Sequence, residues 1–430
     1  MRPHHSLAKI RVGKILLVLV SVIAFFVNLF GQEDVLKEQA IAMFKRGDYA
    51  KAIGILEQAK RQNANDAEIY YYLGYFSHYL AYDSRPLIGY DPNYSDKVLR
   101  YLNRTIELDP GFGDAYYFIG AEYGAKATQA LRTENLKEYR LSYQRAHERG
   151  AFPAWLIEYA KNALASCEQN ALLFVGGDAE FNPTQYLQTI QNYRQDVTVI
   201  PIGFLNRPWY VKKLREGVGD ILQKAPIGLS DAQISDLHPY KWDTLTIEIP
   251  ISEQMRKQLG LSQEATMRWE LKPDLRSDRR TYLSATRAVL ANIVETNRWV
   301  RPIYFSLGCN PSSLAGLNEY FQLHGLANKL LPIKTRKTRY SIDAASVARI
   351  LLDEENVKDF KDVHLHNMPR VSNILFNYYA VLSRLAAYYK EQNQSLKISE
   401  LVDYMKKNLL TDTLPKGEKI IKTMGQLSKK

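Results

Sequence analysis

A chain of 430 residues is too long for one ordinary hydrophobic core, so two or three domains are expected. Its 46% hydrophobic and 24% charged residues are those of a globular protein and exclude a chain disordered throughout. The formal charge is +11, but Arg2, Lys9, Arg11 and Lys14 stand without an acid in residues 1–31. Lys416–Lys430 adds five lysines against one glutamate, so the body carries only about +3, too little for a nucleic-acid footprint.

The first 31 residues read as an address. Met1–Lys14 is basic, and Ile15–Phe30 is an apolar run broken only by Ser21 and Asn28. Such a run is short for a membrane span, which needs about 20 apolar residues. With Gly31 at its end it fits a secretory signal peptide, although Leu29 stands where a small residue is usual. An uncleaved anchor is the alternative, and either places the body outside the cytoplasm. No cysteine follows the run, which argues against a lipoprotein. The two cysteines, Cys167 and Cys309, fall at opposite ends of their strands, roughly 20 Å apart at ~3.3 Å per residue. A bridge needs Cα atoms within about 7 Å, so both are expected to be free thiols.

Residues 32–166 read as helical repeats. Gly47 ends one helix and Asp48 caps the next, whose Ala52, Leu56 and Ala59 form a small apolar face. A second copy places Tyr70, Leu73 and Gly74 in its first helix and Val98, Leu102 and Thr105 in its second, with Tyr82–Tyr94 inserted between. A third holds Tyr116, Ile119 and Gly120, then Tyr139, Tyr143 and Ala146. This pattern resembles tetratricopeptide repeats, which implies a concave surface for a protein partner. The simpler reading is a helical cap on the next domain, with its tyrosines in the core. A helix from Pro153 to Ser166 closes the region.

Residues 167–340 read as an α/β domain with a parallel sheet, so the expected class is an α-helical solenoid followed by an α/β domain and C-terminal helices. Strands are expected at Ala171–Val175, Val197–Phe204 and Pro302–Leu307, and a half-exposed strand at Thr244–Pro250 that Thr266–Lys272 can pair. Asn182 and Pro183 mark one helix start, Asn206-Arg-Pro-Trp-Tyr opens another, and long helices are expected over Arg279–Asn297 and from Ser312. Residues 341–415 form a helical region and 416–430 a basic tail.

Four segments occur in order: Gly177-Asp-Ala-Glu-Phe-Asn-Pro, Asn206-Arg-Pro-Trp-Tyr, Asn297-Arg-Trp-Val-Arg-Pro-Ile-Tyr-Phe and Leu326-Ala-Asn-Lys-Leu-Leu-Pro-Ile-Lys. Together they resemble the soluble extracytoplasmic half of bacterial multi-spanning proteins similar to protein O-mannosyltransferases, from about Ala165 to Pro415. That resemblance implies a domain of the cell envelope, with sugar transfer confined to a membrane half that has no counterpart here. The glycine-acid loop also departs from the family's pattern, with Ala179 and Glu180 after Asp178.

Ligands of open parallel sheets bind beyond the carboxyl ends of the strands. The candidate binding residues are therefore Gly176, Gly177, Asp178, Glu180 and Asn182 of the first loop, Asn206 and Trp209 of the second, and Tyr304 of the third strand. Asp178 and Glu180 can be read as a carboxylate pair or a hard-metal site. The simpler reading has Asp178 satisfying backbone donors and Asn182 capping the helix. Neither a nucleotide-binding glycine pattern nor a nucleophile elbow is present. His364 and His366, two apart, lack a metal-binding helix pattern, and Lys334–Arg339 reads as a solvated basic edge. No catalytic residue, metal or cofactor is assigned. The expected function is an exported, periplasmic interaction protein, with an accessory or enzymatic role in envelope glycan transfer as the alternative.

Overall fold

A computed structural model describes residues 34–82, 91–263, 265–335, 341–366, 368–414 and 416–427. The leader or anchor reading of residues 1–31 lies outside them. So do residues 83–90 of the tyrosine-rich insertion, 336–339 of the basic run, 428–430 of the tail, and the side chains of His364 and His366. The chain divides into two compact units, Met1–Glu122 and Tyr123–Lys430. The class is the expected one: a helical stack, then a sheet region and C-terminal helices. No helix among the described residues is long and apolar enough to cross a membrane.

The first unit is built from α1 (34–45), α2 (Tyr49–Gln62), α3 (Ala67–Tyr82), α4 (Pro92–Leu108) and the start of α5 (Gly113–Arg132). Gly47 adopts φ +83° and the Asp48 side chain accepts from the Lys51 amide, so turn and cap form where glycine and aspartate favour them. Ala52, Leu56 and Ala59 are fully buried. The α3–α4 contact is close, because a Cβ on Gly74 would lie 2.6 Å from Leu102 Cδ2. Of the tyrosines of α3, Tyr71 and Tyr75 are buried, Tyr70 and Tyr72 half-buried and Tyr79 exposed, and Phe44 of α1 stacks on Phe76 at 4.1 Å. Glu122 is fully buried in this unit, held by His78 Nδ1 at 2.7 Å and by the Ser95 hydroxyl at 2.6 Å.

The second unit holds a five-stranded sheet in the order β2-β1-β8-β10-β9. Its strands are β1 (Leu172–Val175), β2 (Thr198–Pro201), β8 (Ile303–Ser306), β9 (Phe321–His324) and β10 (Ala327–Leu330). The three strands expected from their apolar runs, β2, β1 and β8, are parallel, and every residue of each is buried. The antiparallel hairpin β9–β10 extends the sheet beyond β8. Smaller antiparallel pieces are β3 (Tyr240–Lys241) with β7 (Arg280–Leu283) and β6 (Leu275–Ser277), and the ribbon of β4 (Leu245–Pro250) and β5 (Thr266–Leu271).

The helices of this unit are α6 (Leu136–Glu148), α7 (Ala154–Ala165), α8 (Asp178–Thr189), α9 (Pro208–Glu216), α10 (Asp231–Ser235), α11 (Glu253–Leu259) and α12 (Ala285–Asn297). They continue with α13 (Ala344–Leu351), α14 (Pro369–Ser372), α15 (Phe376–Glu391), α16 (Ser395–Asn408) and α17 (Lys416–Leu427). The last three pack together, and α6 and α7 both pack on α8.

Three expected elements differ. The helix after β1 starts at Asp178, not at Asn182, and carries Pro183 inside it. Proline has no N–H to donate back to the Ala179 carbonyl, and the helix continues through it to Thr189. The long helix expected from Arg279 starts at Ala285, capped by Ser284, since Asp278 and Arg279 (φ +49° and +64°) turn the chain through the β6–β7 hairpin. The helix expected from Ser312 is replaced by two short 3-10 turns and β9, because Ala315 and Gly316 take left-handed conformations between them.

Candidate functional site

Chain order fixes where a ligand crevice belongs. From β1 the chain passes through α8 to β2 on one side, and after a long excursion it enters β8 on the other side of β1. The direction of strand placement reverses at β1, so the switch point lies between the carboxyl ends of β1 and β8. Two loops leave there, Gly176-Gly177 after β1 and Leu307-Gly308-Cys309 after β8.

Glu180 fills that crevice. It sits in the first turn of α8 and is 5% exposed. One carboxylate oxygen accepts from the Gly176 amide at 3.0 Å and from the Ser306 hydroxyl at 2.5 Å. The other accepts from the Gly308 amide at 3.1 Å and from the Tyr159 hydroxyl at 3.4 Å. Backbone amides aimed at a crevice form an anion cradle in many α/β proteins. Here the anion is the chain's own side chain. The glycines are required by this closeness: a Cβ on Gly308 would lie 2.6 Å from Glu180 Oε2, and one on Gly176 would lie 2.2 Å from the Gly308 carbonyl oxygen.

The latch is braced from behind. Tyr159 of α7 donates to Glu180 and accepts from the Asn377 amide of α15 at 2.8 Å. Asn162, one turn along α7, donates to the Tyr378 hydroxyl at 2.8 Å and to the Asn356 carbonyl. Burial pushes the Tyr159 hydroxyl well above the usual tyrosine range, and the Glu180 carboxylate adds to the shift. These bonds tie the C-terminal helices to the loops at the sheet's edge.

The other candidate residues separate into three groups. Asp178 and Glu180 do not form a pair: Asp178 is exposed at the start of α8, on the side of Arg207, while Glu180 points inward. The backbone donors are satisfied by Glu180, and Asp178 is the first-turn acid that complements the helix N-terminus. Asn182 caps nothing. It is buried mid-helix, where its Oδ1 accepts from the Tyr143 hydroxyl at 3.4 Å and its amide group fills the space beside Gly124. Gly177 is exposed and a Cβ there meets nothing.

Asn206 is exposed and Trp209 half-buried at the carboxyl end of β2. The neighbouring Arg207 guanidinium lies 4.1 Å over the Phe204 ring. Tyr304 is not part of the crevice. Its ring is fully buried, edge-on to His324, and burial raises its hydroxyl far above the usual tyrosine range, with Glu168 and Cys167 adding to the shift.

The Asn297–Phe305 segment is a structural brace. Asn297 closes its loop through bonds with both the carbonyl and the amide of Arg301. Arg301 donates to the carbonyls of Asn170, Lys224 and Ala171 and to Thr198 Oγ1, stitching the amino ends of β1, β2 and β8. Both cysteines are free and buried. Cys309 Sγ lies 3.4 Å from the Phe174 carbonyl, and burial pushes its thiol up to about 12. No cluster of three or more histidine, cysteine, aspartate or glutamate side chains able to hold a metal occurs among the described residues.

Residues 156–236 and 242–349 match the family model of TMEM260-associated domain 2. The matched region contains the five-stranded sheet, the Glu180 latch and the Arg301 brace. No curated protein matches the chain.

Proposed function

We propose that this protein acts by binding and not by transforming a substrate. The observation that carries the reading is the Glu180 latch. The one buried acid of the glycine loop is committed to two backbone amides and two hydroxyls at the position where an open α/β sheet ordinarily receives a ligand. In this reading the helical stack is a tetratricopeptide-type unit that takes a protein partner. The sheet unit is a glycan-binding module of the cell envelope, and the basic, apolar start of the chain exports it. Stacked helical hairpins with small buried faces at Ala52, Leu56 and Ala59 support the first part.

The experiment is capture of partners from an envelope extract with the full chain as bait, against the Tyr79→Ala variant. Tyr79 is the exposed tyrosine of the α3 aromatic cluster, at 37% of its surface. A discrete partner lost on this substitution supports the reading. No partner, together with turnover of a sugar substrate by the purified chain, sinks it. A second reading, as an accessory of envelope glycan transfer, is the one implied by the ordered segments that begin at Gly177, Asn206, Asn297 and Leu326. It predicts that the captured partner is a multi-spanning membrane protein.

A further inference from the structure

With the crevice between β1 and β8 occupied, the space for a ligand lies beside it. A cleft of about 420 Å³ opens from the same Ser306–Cys309 loop across the sheet toward β9, β10 and α15. That volume is in the range of small-molecule sites.

Register explains its lining. Asn328 of β10 is paired with Phe305 of β8, so the two share a face of the sheet, and Phe321 of β9 stacks on Phe305 at 4.8 Å. Phe321 is half-buried, with Phe305 covering one side of its ring. Asn318 lines the cleft from the turn before β9. The side-chain amides of Asn318 and Asn328 make no hydrogen bond among the described residues.

Arg384 enters from α15. It donates one N–H to the Ser341 carbonyl at 3.1 Å, and no carboxylate neutralises it among the described residues. Glu319, the acid of the lining, is ion-paired with Lys334 at 2.7 Å. Among its described lining residues the cleft therefore offers one guanidinium without a carboxylate partner, two amides with unused donors and acceptors, the Lys334-paired carboxylate of Glu319 and one aromatic ring.

We propose that this cleft binds a sugar acid, a pyranose that carries a carboxylate. The carboxylate is matched to Arg384, the hydroxyls to Asn318, Asn328 and Glu319, and the apolar face of the ring to Phe321. Among the described lining residues one cation stands with one acid, which suits a monoanionic carboxylate better than a dianionic phosphate. The proposal rests on the reading of the sheet unit as a glycan-binding module and names its site and ligand class.

The test is saturation-transfer NMR with calorimetric titration of the full chain, using D-glucuronate, D-glucose and inorganic phosphate as probes. Glucuronate is expected to bind at least tenfold more tightly than glucose or phosphate. Arg384→Ala and Asn328→Asp are each expected to weaken glucuronate at least tenfold. Arg384→Lys keeps the charge and is expected to retain part of the affinity, which separates lost recognition from lost folding. Phosphate binding as tightly as glucuronate, or no glucuronate binding at tens of millimolar, overturns the ligand class. Binding undiminished in both Arg384→Ala and Asn328→Asp overturns the site while leaving the glycan reading in place. Capture of an envelope partner is read separately, so its failure is not confused with failure of the cleft.

Discussion

Replacing Glu180 by alanine removes the acceptor for the Gly176 and Gly308 amides and the Ser306 and Tyr159 hydroxyls in one step. A partly buried donor left without an acceptor costs about 1 kcal/mol, and more when water cannot reach it. The two amides and the Ser306 hydroxyl together give about 3 kcal/mol, and the Tyr159 bond, the longest of the four at 3.4 Å, adds little. The space vacated beside Tyr159 adds a small cavity cost, partly offset because a carboxylate no longer has to be buried. At about 2 °C per kcal/mol for a unit of this size, the transition of the second unit is expected to fall by about 6 °C. The assay is thermal unfolding followed by circular dichroism, with and without sodium acetate. Because the amides form an anion cradle, acetate is expected to recover part of the loss in the alanine variant. It should have no such effect on the wild type beyond that of equal sodium chloride. Glu180→Gln keeps shape and one acceptor and should lie between the two. An alanine variant as stable as the wild type, with no response to acetate, refutes the latch.

Glu158 supplies a pH test. Burial is the main cause that raises its carboxyl from 4.5 to about 7, against the lowering effect of the Asp359 amide it binds. The folded state then holds a proton that the unfolded state has lost, so this group's stabilising contribution is present below about 4.5 and lost as pH rises toward 7. At 1.36 kcal/mol per unit the loss is at most about 3 kcal/mol, and Glu158→Gln should flatten that part of the stability profile in urea titrations. Arg301→Lys keeps charge but cannot reach the four acceptors, so a loss of about 2 kcal/mol is expected in the second unit by chemical denaturation. In the first unit, Gly74→Ala drives a methyl against Leu102 and should destabilise by about 1–2 kcal/mol after its helix-propensity gain. Gly54→Ala, with nothing within 4 Å, should instead stabilise by up to about 1 kcal/mol.

The parallel strands were legible because strands buried on both faces are continuous apolar runs, as in Leu172–Val175 and Ile303–Ser306. The α2 cap was legible because Gly47 and Asp48 act through local backbone preferences. What escaped was long-range. Glu180 and Gly308 are 128 residues apart, and nothing near Glu180 announces that its acceptors meet the end of β8. The sequence points to Asp178 as the acid that meets the backbone donors, whereas packing brings Glu180 to them. Pro183 misled because proline favours helix starts, yet it is tolerated shortly after one. The β6–β7 turn was hidden because Asp278 and Arg279 adopt left-handed conformations without glycine. Tyr159 and Asn377 carried no local signal, and their role arises only when α7 and α15 bring them together.

The claim that Glu180 occupies the crevice in place of a ligand is tested most directly by amide hydrogen exchange of Gly176 and Gly308 in the ligand-free full chain. The latch predicts that both amides exchange slowly in the wild type. It predicts that both become fast in Glu180→Ala while amides in the middle of β1 and β8 stay protected. Fast exchange at Gly176 and Gly308 in the wild type, or rates that the substitution leaves unchanged, would contradict it.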